Sequence, residues 1–151
     1  MRPEILAPVG SMEALNAALA AGCDAVYFGL PSFVARAFAN NFDLETTKEV
    51  IERCHLCGVK VYITMNTILY EDEMEDAYNM AKMVHSFGVD ALIIQDLGFI
   101  HLLHHRLPNL VLHASTQLSV SNPYQIEQLK KLGVQRVVLA RECTKEEIQA
   151  C

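Results

Sequence analysis

The sequence predicts an α/β protein assembled from consecutive βα units, and three observations support this fold class. Short apolar runs rich in Val, Ile, Leu and Tyr alternate with longer segments of helical period. Before four of these runs, a helical segment ends at a glycine and a strand follows within one or two residues; the glycines are Gly22, Gly58, Gly88 and Gly133. Polar side chains stand at the end of each later run. The repeated order predicts parallel strands with right-handed crossovers.

Six strands alternate with helices from the amino terminus onward. The apolar runs predict strands near residues 4–8, 24–29, 60–66, 91–95, 111–116 and 136–141. The segments of helical period predict helices near residues 12–21, 44–57, 72–87, 98–106 and 123–132, and the final residues TKEEIQAC predict a sixth. Ser11 is a favourable N-cap for the first helix, and the acidic Glu13 follows in its first turn.

Two architectures accommodate this alternation: an open doubly wound sheet and a β/α barrel. The first βα turn, APVGSMEAL, contains one glycine instead of the three-glycine fingerprint of a dinucleotide-binding sheet. The third to sixth strands end in polar residues, at the end of the strands where barrel enzymes assemble their active sites. These residues are Asn66, Gln95, Asp96, Ser115, Thr116, Arg141 and Glu142. The pattern favours a TIM-type barrel.

The number of predicted strands is too small for a closed barrel, because a TIM barrel has eight and this sequence supplies six. We therefore expect residues 1–151 to form a single incomplete barrel domain, truncated before closure, from the N-terminal part of a longer protein. The first and sixth strands would each keep a row of unpaired backbone groups. This predicts a homo-oligomer that forms through the exposed edge strands.

The composition is that of one globular domain without an export signal or a membrane span. Hydrophobic residues make up 52% of the 151 positions, and 12 basic against 18 acidic side chains give a net charge of −6. The charge leaves no overall electrostatic footprint for nucleic acid, although a local basic groove is compatible with it. No apolar run approaches the roughly 20 residues of a membrane span. We expect a cytoplasmic protein with no membrane contact, whose five cysteines are reduced.

The stretch LHASTQLSV, residues 112–120, concentrates polar side chains at the end of the fifth strand. Strand alternation predicts that His113, Ser115 and Gln117 lie on one side. A serine nucleophile with a histidine base would need hydrogen-bond contact and an orienting acid, whereas i, i+2 neighbours on a strand are about 6.5 Å apart. The sequence favours a polar pocket floor that positions substrate over a catalytic pair, and the catalytic residues stay unknown.

Two arginines are candidates for binding an anionic substrate. Arg36 lies in FVARAFANNF, a βα connection longer than its neighbours, and Arg141 follows the sixth strand. The planar guanidinium fork suits a carboxylate or a phosphate, although Arg141 and Glu142 are equally consistent with a structural ion pair. Together with Asn66 and Gln95, these residues complete the predicted substrate-binding set.

No metal site is predicted. The motif CHLC, Cys54 to Cys57, has the spacing of half a zinc or cluster site but lacks a second pair. His101, His104 and His105 precede Pro108 at a helix end, where the helix dipole favours cations. A buried apolar helix face better explains the cysteines, and the helix C-terminus better explains the histidines.

Several segments of the sequence occur together in a known family. They are EILAPVGSMEALNAALAAGCDAVYFG, FVARAFANNF, GVKVYITMNT, GVDALIIQDLG and LHASTQLSVSN, followed by GVQRVVLARE. In order and approximate spacing they resemble the collagenase-like peptidase family, number thirty-two of the class of unassigned mechanism. The resemblance covers essentially the whole chain and implies the barrel-type N-terminal domain of a longer protein.

The resemblance also implies an activity. Family members are commonly labelled peptidases, while a set of them resembles oxygen-independent hydroxylation enzymes that act on tRNA, rRNA or a quinone precursor. Those enzymes use an iron–sulfur cluster, and at least some take a hydroxyl group from prephenate. The family's cysteine-bearing signature has no match in this chain, so the resemblance implies no cofactor here and a cluster only in the full-length protein.

Three hypotheses about function follow. In the first, the full-length protein is an iron–sulfur-dependent hydroxylation enzyme for tRNA or rRNA, and Arg36 and Arg141 bind RNA or an anionic small molecule. In the second, it is a protease or another hydrolase, although the sequence shows no HExxH motif and no evident nucleophile with its base. In the third, the chain is a non-catalytic folding or assembly module. The chain alone is expected to be inactive in each case.

Overall fold

The structure is a computed structural model that describes residues 2–33 and 42–151. Its strands are β1 (Leu6–Pro8), β2 (Ala25–Gly29), β3 (Lys60–Met65), β4 (Ala91–Ile94), β5 (Leu112–Ala114) and β6 (Val134–Val137). Its helices are α1 (Met12–Ala20), α2 (Leu44–Leu56), α3 (Met74–Ser86), α4 (Leu97–Arg106), α5 (Pro123–Lys131) and α6 (Lys145–Ala150). Short 3₁₀ helices at Glu71–Glu73 and Thr116–Leu118 precede α3 and follow β5. The α/β class and the predicted order of elements are confirmed.

The strands form one parallel sheet in the order β1-β2-β3-β4-β5-β6. A doubly wound sheet would reverse its strand order at a switch point and would carry helices on both faces. Here one core joins alternate strand residues, such as Val26 and Leu92, to helix residues such as Leu15 and Phe99. Consecutive strand order with a single helical layer is the arrangement of a TIM-type barrel. The sheet is not closed, because β1 and β6 form its two ends in the described part of the chain.

In the described residues, every helix except α3 begins at a side-chain cap that follows the carboxyl end of a strand or lies close to it. Each cap accepts a hydrogen bond from the backbone N–H three residues later, which satisfies a donor that the first helical turn would leave unpaired. The five caps are Ser11, Asp43, Asp96, Asn122 and Thr144. Pro123 follows one of them at the first position of α5, where its missing N–H costs nothing.

The four predicted junction glycines all have positive φ angles, between 71° and 89°. Gly133 has a second constraint, because a Cβ atom at this position would lie 2.1 Å from Nδ1 of His104 on α4. Gly22 and Gly58 have no atom within 4 Å of the same point. The junction before β6 therefore needs glycine for its backbone conformation and for the close packing of α4.

Two aspartates fix the amino ends of neighbouring strands. Asp24, just before β2, accepts a hydrogen bond from the backbone N–H of Ile5 at 2.8 Å. Asp90, just before β4, accepts one from Val61 at 2.8 Å. Asp24 also forms an ion pair with Arg2. Each carboxylate thus ties the start of one strand to the preceding strand.

The sixth strand differs from its predicted position, residues 136–141. It begins directly after the junction glycine and spans Val134–Val137. The N–H of Val138 still bonds to the carbonyl of Ala114, but the N–H of Ala140 bonds to Val120 at 2.8 Å. The chain therefore leaves the ladder before Arg141. The other predicted boundaries differ from the structure by at most two residues.

Candidate functional site

The carboxyl ends of β3, β4 and β5 meet at one edge of the sheet. We call this edge the carboxyl rim and define it by Asn66, Gln95, Ser115 and the residues that follow β6. The strand register pairs Met65 with Ile94 and Ile94 with Ala114, so the first three rim residues stand side by side. Asn66 and Gln95 are half-buried. The predicted grouping of these polar residues thus follows from the register, while their role in binding stays a prediction.

Ser115 is a capping residue in this structure. Its side chain is buried, and its Oγ atom accepts a hydrogen bond from the N–H of Gln117 at 3.2 Å, at the start of the 3₁₀ helix. No hydrogen bond joins Ser115 to His113 within the described residues. This geometry lacks the nucleophile–base contact that serine catalysis requires.

Strand alternation predicts that Gln117 and His113 lie on the same face. The structure places them in different environments. β5 ends at Ala114, because the cap at Ser115 turns the chain into the 3₁₀ helix. Gln117 is exposed on that helix, whereas His113 is buried within the strand. The prediction that the three polar residues lie on one side of the strand is therefore wrong.

Asp96 holds two loops together at the carboxyl rim. Its Oδ1 atom accepts the N–H of Phe99 at 2.8 Å and thereby caps α4. Its Oδ2 atom accepts the N–H of Leu69 at 3.3 Å, in the connection between β3 and α3. This carboxylate positions the backbone on both sides of the rim.

Of the two arginines predicted to bind an anion, the structure describes only Arg141. Arg36 lies outside the described residues. Arg141 and Glu142 are exposed in a turn beyond β6, and no ion pair joins them in the part of the chain that the structure describes. Arg141 is therefore exposed to solvent in the turn that follows β6.

A second group of polar side chains lies on the face of the sheet opposite the helices, which we call the inner face. The inner-face cluster consists of Glu4, Lys60, Tyr62, His113 and Arg136. The guanidinium of Arg136 donates hydrogen bonds to Glu4 and, at 3.3 Å, to the hydroxyl of Tyr62. That hydroxyl donates to the same carboxylate at 3.0 Å, and Lys60 lies 3.5 Å from its other oxygen. The cluster connects the segment preceding β1 with β3 and β6.

Tyr62 lies at the centre of this cluster. The ring of His113 meets it edge-on at a centroid distance of 4.8 Å, and the guanidinium carbon of Arg136 lies 5.5 Å from the Tyr62 ring centroid. His113 and Arg136 are paired in the ladder between β5 and β6. The aromatic ring is thus in contact with an imidazole and a cation.

The charges of the cluster are set by hydrogen bonding and burial. The hydrogen bond from Arg136 holds the pKa of Glu4 below its ordinary value, although burial opposes this shift. Burial lowers the pKa of His113 to about 4, and the positive charge of Arg136 acts in the same direction. At neutral pH, Glu4 is therefore ionised and His113 is neutral.

Sequence reasoning singled out His113 but missed the other members of this cluster and the contacts among them. Glu4 and Arg136 are 132 positions apart, and neither belongs to a motif with fixed spacing. The one available signal was the charged Arg136 within the apolar run VQRVV. A charge in such a run indicates either a solvated edge or a polar partner on the same face, and sequence alone does not distinguish the two.

The described residues do not fit an iron–sulfur cluster or a metal ion. They contain no group of three or more His, Cys, Asp or Glu side chains that could hold a metal. Cys23 and Cys54 are buried, and burial raises the pKa of Cys54 to about 11, which disfavours the thiolate that metal binding needs.

Comparison with the sequence profiles of protein families identifies the family of this chain. The sequence profile of Peptidase family U32 matches residues 10–151. The chain belongs to this family. The resemblance carried by the sequence motifs is thereby confirmed.

The U32 relatives have different names. The chain is 38% identical over 149 residues to the 23S rRNA 5-hydroxycytidine synthase of Escherichia coli, covering 99% of this chain and 22% of that protein. It is 33% identical to tRNA hydroxylation protein P of Escherichia coli, over 98% of this chain and 33% of the relative. It is 35% identical to a collagenase of Porphyromonas gingivalis, over 97% of this chain and 35% of the relative. The chain thus spans between a fifth and about a third of these three relatives.

Solved structures agree with the barrel-type fold. A U32 peptidase structure matches with a TM-score of 0.78 at 14% identity, covering 99% of this chain and 64% of the other. The 3-keto-L-gulonate-6-phosphate decarboxylase of Vibrio cholerae matches with a TM-score of 0.63 at 11% identity, covering 99% and 72%. At these identities the likeness shows the fold alone. No helix in the described ranges is long and apolar enough to cross a membrane.

Proposed function

We propose that this chain is the N-terminal barrel part of a cytoplasmic enzyme that hydroxylates tRNA or rRNA. The observation that carries the proposal is the 38% identity, over 99% of the chain, to an rRNA 5-hydroxycytidine synthase. Three tRNA hydroxylation proteins, from Bacillus subtilis, Escherichia coli and Haemophilus influenzae, match at 33% to 35% identity over nearly the same range. RNA is the proposed macromolecular partner.

In this proposal the carboxyl rim binds and orients the RNA. Asn66 and Gln95 carry amide groups, which can donate and accept hydrogen bonds at the edges of an unstacked base. Arg141 is exposed and suited to a backbone phosphate. Arg36 is proposed for the same role, while His113, Ser115, Gln117 and Glu142 are proposed to line the substrate path.

An iron–sulfur cluster is proposed for the full-length protein only. The described residues of this chain do not fit one.

The family name and the collagenase relative favour protease activity as a second candidate. The chemistry of the rim argues against Ser115 as its nucleophile, since this side chain caps a 3₁₀ helix and has no bond to His113. We expect the chain alone to cleave neither gelatin nor peptides and to bind no stoichiometric metal. Gelatin cleavage that disappears in Ser115→Ala would favour the protease.

Self-association is proposed as a further property, and it is the basis of the third candidate, an assembly module. β1 and β6 are the ends of the sheet, and Ile5, Leu6 and Val138 beside these edges are exposed. Pairing of such edges between copies would cover both the backbone groups and the apolar side chains. Light scattering over a concentration series should detect a dimer or larger species, and a monomer at every concentration would contradict the proposal.

The RNA proposal is tested on the complete protein in its source organism. Deleting its gene should remove one hydroxylated nucleoside from tRNA or 23S rRNA, detected by nucleoside mass spectrometry as the loss of one oxygen. The wild-type gene should restore it. An Arg141→Gln gene should restore less, and the matched Arg2→Gln gene, changed at the opposite end of the sheet, should restore it fully. An unchanged nucleoside profile after deletion would reject RNA as the substrate.

A further inference from the structure

Two of the five tyrosines are strongly exposed, and both follow the carboxyl ends of strands. Tyr70 is 74% exposed just before the 3₁₀ helix that leads into α3, and Tyr124 is 80% exposed in the first turn of α5. Tyr62 is buried, whereas Tyr27 and Tyr78 are half-buried. A single exposed aromatic ring is common on protein surfaces, so the surroundings of the two exposed rings decide what each can bind.

The surroundings of Tyr70 are acidic. Five of the six residues at positions 71–76 are Asp or Glu, and four of these five are exposed. No lysine or arginine occurs at positions 61–81. Arg106 on α4 lies 3.8 Å from one of the carboxylates, that of Glu75. Carboxylates at this density repel a nucleic-acid backbone, so the ring of Tyr70 is unsuited to RNA.

The surroundings of Tyr124 have a different character. Residues 115–126 contain no charged side chain, and seven of them carry a hydroxyl or an amide group. The N–H of Ala140 donates a hydrogen bond to the carbonyl of Val120 at 2.8 Å. This bond holds the segment that carries the exposed Arg141 next to the connection between β5 and α5. The second exposed tyrosine therefore follows a polar, uncharged connection that adjoins the segment of an exposed cation.

The turn that carries Tyr124 is fixed by side-chain hydrogen bonds. Oδ1 of Asn122 accepts the N–H of Gln125 at 3.1 Å. Oε1 of Gln125 accepts Nδ2 of Asn122 at 2.9 Å and the N–H of Ser121 at 2.8 Å. Pro123 restricts the backbone directly before the tyrosine. Because the backbone under the ring is preorganised, a stacked ligand would restrict little more than the two side-chain torsions of the tyrosine.

We infer that Tyr124 stacks against an unpaired base of the RNA, while Arg141 binds a phosphate of the same strand. This inference rests on the proposed function, and it names the side of the carboxyl rim that the RNA contacts. Every base has a π face, so stacking holds a nucleotide without selecting its identity. The RNA contacts the β5–β6 side of the rim and avoids the acidic connection between β3 and α3. Its contacting part is a single-stranded loop, because the bases of a duplex are already stacked on one another.

Two RNA hairpins test the stacking contact. One has an unpaired uridine loop and a fluorescein label, and its counterpart has abasic sites in place of the loop uridines. Fluorescence anisotropy measures the binding of each to the complete protein. Tyr124→Ala should weaken binding of the uridine hairpin by about tenfold and leave binding of the abasic hairpin unchanged. Tyr124→Phe should bind within about twofold of the wild type, whereas Tyr124→Leu, which lacks a π face, should lose affinity as Tyr124→Ala does.

Two further variants separate stacking from charge. Tyr70→Ala is the matched control, because it removes a tyrosine of similar exposure from the same end of the sheet, and it should change the binding of neither hairpin. Arg141→Gln should weaken both hairpins alike and reduce the slope of log affinity against log salt concentration by about 0.7–1. Tyr124→Ala removes no charge and should leave this slope unchanged.

Equal losses for the two hairpins in Tyr124→Ala would overturn the inference, as would an unchanged affinity for the uridine hairpin in both Tyr124→Ala and Tyr124→Leu. A loss in Tyr70→Ala as large as that in Tyr124→Ala would also overturn it. In each of these cases the wild type still binds RNA, so the hydroxylation proposal stands. A wild-type protein that binds neither hairpin would reject the inference, and the nucleoside profile after gene deletion would then decide the hydroxylation proposal separately.

Discussion

The two ends of the sheet are held together in different ways. At the amino ends of the strands, side-chain hydrogen bonds join residues 19 to 132 positions apart. At the carboxyl ends, the helix caps bond to backbone groups only three positions away. Longer contacts also occur at this end, including those from Thr64 to Phe28, from Leu69 to Asp96 and from Thr116 to Leu139, and they connect adjacent βα units.

This difference predicts that contacts at the amino ends of the strands determine stability, whereas residues at the carboxyl ends take part in the proposed binding of RNA. Long-range contacts at the amino end fix the strands relative to one another, so the carboxyl end can vary its side chains without loss of the fold. The local caps satisfy the termini of the helices that they precede. We therefore expect substitutions at the amino end to reduce stability more than substitutions at the carboxyl rim.

The largest effect is expected at the junction before β6. Gly133→Ala should lower the free energy of unfolding by about 3–4 kcal/mol, because it combines a strained positive φ with a clash against His104. The matched variant Gly22→Ala has the same backbone strain but open space, and should cost about 1–2 kcal/mol. Urea unfolding measures both. Equal losses at the two glycines would show that His104 does not constrain the junction.

Acidification should destabilise the inner-face cluster. The pKa of His113 is about 4 in the folded protein and ordinarily 6.5, so between these values the unfolded chain binds a proton that the folded chain does not. The free energy of unfolding is therefore highest with respect to this group above pH 6.5. It falls by about 3 kcal/mol in total as the pH falls from 6.5 to 4. Glu4 adds a loss at lower pH, as its depressed pKa is crossed.

The measurement is urea unfolding of the wild type and of His113→Gln between pH 7 and pH 4. Because the variant lacks the titrating ring, its stability should fall less steeply over this range. Parallel curves for the two proteins would contradict a depressed pKa at His113.

At the carboxyl rim, Asp96→Ala should cost about 2 kcal/mol. The substitution removes the cap of α4 and the acceptor for the N–H of Leu69. Asp43→Ala removes a single cap, on Thr46, and should cost about 1 kcal/mol. If Asp43→Ala proved as costly as Asp96→Ala, the contact with Leu69 would contribute nothing measurable.

The Glu4–Arg136 pair should show a coupling free energy of about 1 kcal/mol in a double-mutant cycle with Glu4→Gln and Arg136→Gln. The value is modest because both side chains are partly exposed. Salt should reduce it. A coupling of zero would mean that the amino end is held by backbone pairing alone.

The smallest effect on stability is expected from Arg141→Gln. Arg141 is exposed beyond β6, so its substitution should change the free energy of unfolding by less than about 0.5 kcal/mol. Thermal unfolding measures this change. Binding of an RNA hairpin by the complete protein should nevertheless weaken if Arg141 contacts phosphate. A large loss of stability would instead indicate that Arg141 has a structural partner.

Local patterns account for what the sequence predicted correctly. The junction glycines, the cap at Ser11 and the polar residues after the later strands all act within a few positions, and they placed Asn66, Gln95 and Ser115 at one rim. Gln117 was misplaced because the cap at Ser115 ends the strand early and starts a 3₁₀ helix. The alternation of side chains does not indicate where a strand ends. Arg36 lies outside the described residues.

The inner-face cluster could not have been predicted in the same way. Its members come from four separate segments of the chain, and only His113 belongs to a stretch that the sequence pattern singled out. Only the curvature of the sheet brings Glu4 to Arg136, and the hydrophobic pattern specifies which face a residue occupies but not which distant residue it meets. Long-range polar contacts of this kind have no periodic signature.

The contact between Glu4 and Arg136 has a consequence for biosynthesis. Each strand pairs only with its neighbour in sequence, so successive βα units can assemble while the chain leaves the ribosome. Glu4 is synthesised before its partner Arg136, which follows 132 positions later. We predict that the pair forms after the rate-limiting step of folding, in which case it slows unfolding without speeding folding. Removing it should shorten the lifetime of the native protein while leaving its rate of formation unchanged.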